Sequence, residues 1–194
     1  MSAADSVFFL DREEVHVGEL SGEGPVLDIG GGGEGIIGLL AGGRTVSVDR
    51  SLRELKEAPP GPRKLVADAG ALPFPDRVFP LAAAFYTLLF IPGREGLERL
   101  FAETVRTMRP GGRFLIWDAV LPFRPPGEKR GAVAIPLHVR AGGREVETGY
   151  GSRWPEETRE PEDVLRLARR AGLEGAVTER SGRTYRIELT LRGE

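Results

Sequence analysis

Along the chain, short apolar runs alternate with segments of helical spacing. Val26, Leu27 and Ile29 form the first run, Thr45–Val48 the second, Lys64–Ala67 the third and Leu81–Tyr86 the fourth. Runs of this length, bounded by glycine, proline and acidic residues, suit strands buried in a parallel sheet. Between them Glu34–Leu40 and Ser51–Glu57 read as helices, the second opened by Ser51 and stopped by Pro59-Pro60. Over Arg94–Met108, apolar residues recur at Leu97, Leu100, Phe101, Val105 and Met108, and Arg109-Pro-Gly-Gly then supplies a helix stop and a tight turn. Phe114–Trp117 reads as a fifth strand. Pro161–Ala171 reads as a last helix, with Val164, Leu165, Leu167 and Ala168 inward. Ala176–Glu179 and Thr184–Leu191, joined through Ser181-Gly182, form an antiparallel hairpin in which Tyr185, Ile187, Leu189 and Leu191 alternate with polar neighbours. The pattern predicts an α/β, Rossmann-like sheet of mostly parallel strands with helices on both faces.

The segment Val120–Arg159 interrupts this alternation. It is long for a loop inside a compact domain, and loops of that length are often lids. Within it Ala132–Arg140 and Arg144–Tyr150 flank Ala-Gly-Gly and read as a second hairpin. We expect one domain over residues 1–194, with 1–24 as an N-terminal cover segment and 120–159 as an inserted lid.

Composition narrows the partners. A chain of 194 residues fits one domain and buries about 70% of its unfolded surface. A net charge of −2 supplies no basic stripe for nucleic acid or an anionic membrane. Cysteine is absent, which excludes disulfides, thiolate chemistry and cysteine-held metals, and no metal site is expected. The longest apolar run, Leu81–Ile91, is too short to span a bilayer. No basic-then-apolar leader is visible, so a cytoplasmic location is the expectation. The oligomeric state is left open.

The chemistry gathers around Val26-Leu-Asp-Ile-Gly-Gly-Gly-Gly-Glu-Gly35. The glycines let the backbone turn sharply and approach a ligand, and the following helix would present free N–H groups. A second acid, Asp49, ends the next run. Strand, glycine turn, helix, strand and acid describe a site for a nucleoside-bearing cofactor. Gly30, Gly32 and Gly35 satisfy the G-x-G-x-x-G pattern of dinucleotide sites. Asp28, however, would repel a pyrophosphate and attract an ammonium group, at roughly 4 kcal/mol for a pair about 4 Å apart. The ligand indicated is a nucleoside joined to a cationic amino-acid tail. Asp49 could accept from both ribose hydroxyls, because an ionised carboxylate only accepts.

The chain here resembles class I S-adenosylmethionine-dependent methyltransferases. Val26–Gly35 is similar to that family's first motif and Val46-Ser-Val-Asp49 to its second-strand acid. Val66-Ala-Asp-Ala69 with Leu72-Pro-Phe-Pro-Asp76 is similar to its third-strand segment. Phe79–Ile91 resembles the fourth, and Arg109-Pro-Gly-Gly-Arg-Phe-Leu-Ile116 the turn and fifth strand. The resemblance implies S-adenosylmethionine as cofactor, methyl transfer to a small-molecule acceptor as activity, and closure of the sheet by the C-terminal hairpin. It implies that N–H groups near Gly30, Gly31 and Gly32 hold the methionine carboxylate and that Asp28 lies near its ammonium. Asp68 and the Ala69 N–H would meet adenine, although Asp68 could equally cap its own loop. Arg50 and Tyr86 complete the expected cofactor set. Two departures stand out: the glycine loop carries one residue more than the usual form, and Pro80 follows Phe79 where the family usually has an acid. Leu89 and Phe90 stand where many small-molecule members have histidines. A nicotinamide-dependent oxidoreductase and a non-catalytic cofactor-binding module remain the alternatives.

For the acceptor, Tyr86 and Thr87 at the end of the fourth strand and His138, Tyr150 and Trp154 in the lid are the candidates. His138 is the one candidate base, its alternative role being structural. Core packing of the lid is the other role open to Tyr150 and Trp154.

Overall fold

A computed structural model describes residues 6–193. Its main sheet contains seven strands: β3 (Val26–Ile29), β4 (Thr45–Asp49), β5 (Arg63–Val66), β6 (Phe79–Phe85), β7 (Met108–Ala119), β10 (Leu173–Ser181) and β11 (Thr184–Leu191). Across the sheet they run β10-β11-β7-β6-β3-β4-β5. The pairings from β7 to β5 are parallel, and β11 is antiparallel to both neighbours. The C-terminal hairpin therefore closes the sheet as the sequence implies.

Period-two alternation assigns the two faces. Leu27, Ile29, Ala82, Ala84, Phe114 and Ile116 pack under Leu97, Leu100 and Phe101 of α3 (Gly93–Thr107) and Val164, Leu165 and Ala168 of α4 (Pro161–Arg170). The opposite face carries Val26, Leu81, Ala83, Phe85, Leu115 and Trp117. Only α1 (Ile36–Ala41) covers it as a helix. The rest is covered by a second sheet, built on β8 (Ala132–Ala141) and β9 (Arg144–Arg153). Val133, Ile135, Leu137 and Val139 of β8 are fully buried there. A helical layer on both faces is thus half replaced by strands.

The N-terminal stretch is part of this second sheet. β1 (Val7–Phe9) and β2 (Glu13–Val17) lie parallel to β8, pairing Val7 with Ala132 and Glu13 with Leu137, while β9 takes the other edge. Within the expected cover segment β1 and β2 form a broken edge strand of the second sheet, and residues 1–5 lie outside the described residues.

Local signals explain most boundaries. The Ser51 hydroxyl accepts from the Glu54 N–H at 3.2 Å and opens α2 (Leu52–Glu57). Glu160 and Asp163 form a capping box around Pro161 at the start of α4. The glycine turn delays α1 to Ile36, two residues beyond the predicted start. Arg109–Gly112, predicted as a turn, is a bulge within β7: Phe79 pairs with Met108 and Leu81 already with Arg113. Pro80 sits opposite that bulge, where no ladder donor is required of it.

Candidate functional site

A cleft of about 670 Å³ opens where β3, β4, β5 and β6 end, roofed by β9. Pockets of this volume suit a small ligand or cofactor, and the C-terminal ends of parallel strands are where such sites form. On one side are Gly30, Gly32, Gly33 and Glu34 of the glycine loop, with Asp49, Arg50, Ser51 and Glu54 below and Val48, Ala67 and Ala69 as apolar floor. On the other are Phe85, Tyr86, Thr87, Phe90 and Ile91, with Gly149, Tyr150 and Gly151 of β9 above.

Asp49 keeps capacity for a ligand. Oδ2 accepts from the Gly32 N–H at 3.3 Å and Oδ1 from the Ser51 N–H at 2.8 Å. A carboxylate has roughly four lone-pair sites, so about two remain for hydroxyl donors. The apolar Val48, Ala67 and Ala69 beside it suit a flat base. The donor set therefore fits a ribose and an adenine.

The roof is latched to the loop. Glu34 accepts from the Thr148 hydroxyl at 2.5 Å and from the Tyr150 hydroxyl at 3.2 Å. The Tyr150 ring stacks on Tyr86 at 5.0 Å and 13°, with Phe85 edge-on to both. Burial, with Glu34 nearby, pushes the Tyr150 phenol well above its ordinary range, so it donates and does not ionise. Glu34→Ala should free β9: we expect faster amide exchange across 147–151 by about tenfold, consistent with loss of roughly 1.5 kcal/mol of charge-assisted hydrogen bonding. Unchanged exchange there would show that the latch is incidental.

Residues 27–116 match the family described as methyltransferase domain. The match covers a little under half of the chain and is consistent with the class I S-adenosylmethionine-dependent methyltransferases. A S-adenosylmethionine-dependent methyltransferase of Methanosarcina mazei shares the fold at a TM-score of 0.63 and 16% identity, over 91% of this chain and 96% of that one. Another from Clostridium acetobutylicum gives 0.59 and 17%, over 87% and 84%. A glycopeptide N-methyltransferase solved with S-adenosylhomocysteine gives 0.58 and 17%, over 88% and 82%. At these identities the likeness is one of fold. A sterol 4-C-methyltransferase of Caenorhabditis elegans is 36% identical over 56 residues, which is 29% of this chain and 16% of the relative's length. These comparisons favour the methyltransferase reading over the nicotinamide alternative.

Within the methyltransferase, the expected site residues separate. Gly30, Gly32, Asp49, Arg50, Ala69, Tyr86, Thr87 and Tyr150 line the cleft. Gly31 and Asp28 lie behind it. Asp28 is 1% exposed; Ser47 Oγ donates to its Oδ2 at 2.9 Å, and a Cβ at Gly31 would fall 2.1 Å from that oxygen. The Gly30 and Gly31 N–H groups both donate to the Val48 carbonyl, so they bind β3 to β4 and are not directed at a carboxylate. Asp68 caps its own loop, accepting from the Gly70 N–H at 2.7 Å, with Arg50 4.0 Å away. His138 faces outward from β8, its Nδ1 2.8 Å from Glu147 on the side opposite the buried row. It does not line the cleft. Trp154 packs on Phe8 and donates to the Arg130 carbonyl, inside the lid and away from the cleft. Among the described residues no cluster could hold a metal ion, and no helix is long and apolar enough to cross a membrane.

Glu34, Glu54, Phe85 and Ile91 were not singled out from sequence, and Phe90 only as standing in place of a histidine. Glu34 had a signal, as the polar residue within the lengthened glycine loop. Asp118 was also missed. It ends the fifth apolar run as Asp28 ends the first, and its buried Oδ2 accepts from the Leu88 N–H at 2.8 Å, fixing the turn that carries Phe90.

Burial raises the carboxyl groups of Asp28 and Asp118 to about 7. An acid whose folded value lies above its unfolded one costs stability once the unfolded chain ionises. The protein should lose stability from about pH 4 to about pH 7 on this account and stay level above. Asp28→Asn should flatten part of that decline in melting temperatures taken across the range; an unchanged slope would contradict an uncharged buried Asp28.

Proposed function

We propose that this methyltransferase carries S-adenosylmethionine with its ribose on Asp49 and its adenine over Val48, Ala67 and Ala69, and methylates a small molecule held under Tyr150. The roofing of the cleft by the Tyr86–Tyr150 stack carries this reading. The roof admits a small acceptor more readily than a folded macromolecule, and it keeps water from the activated donor. Methyl transfer is an in-line displacement at carbon, and alignment alone supplies effective molarities of about 10⁵ M or more. No histidine lines the cleft; the carboxylates of Glu34, Asp49 and Glu54 are the groups there able to take a proton from an acceptor. The relatives that act on a sterol and a glycopeptide are consistent with a small or flexible acceptor.

Methyl-labelled S-adenosylmethionine incubated with fractionated cell extract tests this. Label in the low-mass fraction is the expected result. Label confined to protein or nucleic acid would overturn the small-molecule acceptor, and tight donor binding with no transfer to any fraction would favour a binding module.

A further inference from the structure

Behind Tyr86 lies a second cavity, of about 50 Å³, walled by Val15 and His16 of β2, Trp117 of β7, and Ser181, Thr184 and Arg186 of the C-terminal hairpin. It is separate from the cleft, and Tyr86 lines both. Three of its lining side chains hold buried polar atoms without a hydrogen-bond partner: the Tyr86 hydroxyl, Trp117 Nε1 and Arg186 Nε. All three can donate, and Trp117 and Arg186 can do nothing else there. Buried donors of this kind are rarely left unpaired, and three around one small cavity share a single requirement for an acceptor. Tyr86 also holds a left-handed backbone, φ 50°, that an aromatic side chain seldom adopts. Thr184 approaches the Tyr86 hydroxyl but gives its own proton to the Ser181 carbonyl at 2.9 Å.

We propose that this cavity is a site for a neutral oxygen-bearing group, a carbonyl or hydroxyl, of a small molecule bound beside the cleft, with Tyr86 as the wall that the two share. The charge balance selects against an anion. Arg186 already binds Glu179 and Glu188, and Glu14 stands at the rim. The volume is several times the roughly 10–15 Å³ that one water needs, enough for a small polar head. The recognition of a neutral oxygen here does not depend on the function proposed above.

Nitrogen-15 spectra of the indole groups test the proposal on the whole chain, with Trp154→Phe assigning the Trp117 signal. Acetamide is the neutral probe and acetate the charged one. Saturable movement of the Trp117 indole proton with acetamide but not acetate is expected. Tyr86→Phe should weaken that response about fivefold, the fold-change of one neutral hydrogen bond. Arg186→Lys, which displaces the Nε donor and keeps the charge, should do the same if Tyr86→Phe does not fold. A Trp117 signal that ignores acetamide, answers acetate equally, or reports water that no probe displaces would overturn this site. S-adenosylhomocysteine added to the same sample separates the two proposals. Movement of the glycine-loop amides with a silent Trp117 defeats only this site, and the reverse defeats only the assigned function.

Discussion

Asp49→Ala should weaken binding of S-adenosylhomocysteine about a hundredfold, measured by calorimetric titration. The carboxylate is positioned by two backbone N–H groups, from Gly32 and Ser51, and leaves two acceptor sites facing the cleft. Each hydrogen bond from a neutral hydroxyl to a charged acceptor contributes about 1.5 kcal/mol, so losing two costs roughly 3 kcal/mol, or about two decades of affinity. Alanine also strips the two N–H groups of their partner, so the loop itself could loosen. Asp49→Asn separates these effects in part: its one carbonyl oxygen can still accept from the Gly32 or the Ser51 N–H while its amide faces the other, and its expected loss is about tenfold. An alanine variant that binds within threefold of the parent would remove Asp49 from the cofactor site.

Three acids lie in or at the end of apolar runs in this chain, and the sequence presents them much alike. Strand parity and depth divide their fates. Asp49 reaches the cleft, Asp28 turns beneath the glycine loop onto Ser47, and Asp118 holds the Leu88 N–H. Which way each carboxylate points depends on how β3, β4 and β7 pair, and pairing is set by contacts far apart in sequence. Asp28, on which the charge argument rests, is buried and lies outside the lining of the cleft. The parallel strands and the C-terminal hairpin were legible because each is bounded by local glycine, proline or acidic signals. The strands β1 and β2 were not, because their partner β8 lies more than a hundred residues away. His138 is a different case. Val133, Ile135, Leu137 and Val139 already mark the odd positions of β8 as buried, so an even-numbered residue had to face outward.

Gly30→Ala should be strongly destabilising. Its φ is 76°, where an added Cβ costs about 1–2 kcal/mol. That Cβ would also fall 2.3 Å from Thr87 Oγ1. Thr87 cannot swing away freely, because its hydroxyl donates to the Ile29 carbonyl at 2.7 Å and ties the ends of β3 and β6 together. With overpacking of about 1–3 kcal/mol added, the total is roughly 3 kcal/mol, and a domain of this size should melt about 10 °C lower. The two contributions part in a double-mutant cycle. Thr87→Ala removes the colliding atoms but leaves the backbone strain, so Gly30→Ala on that background should cost about 1 kcal/mol less. Strict additivity would mean that the left-handed backbone alone, and not the close approach of β6, requires glycine at the head of the loop.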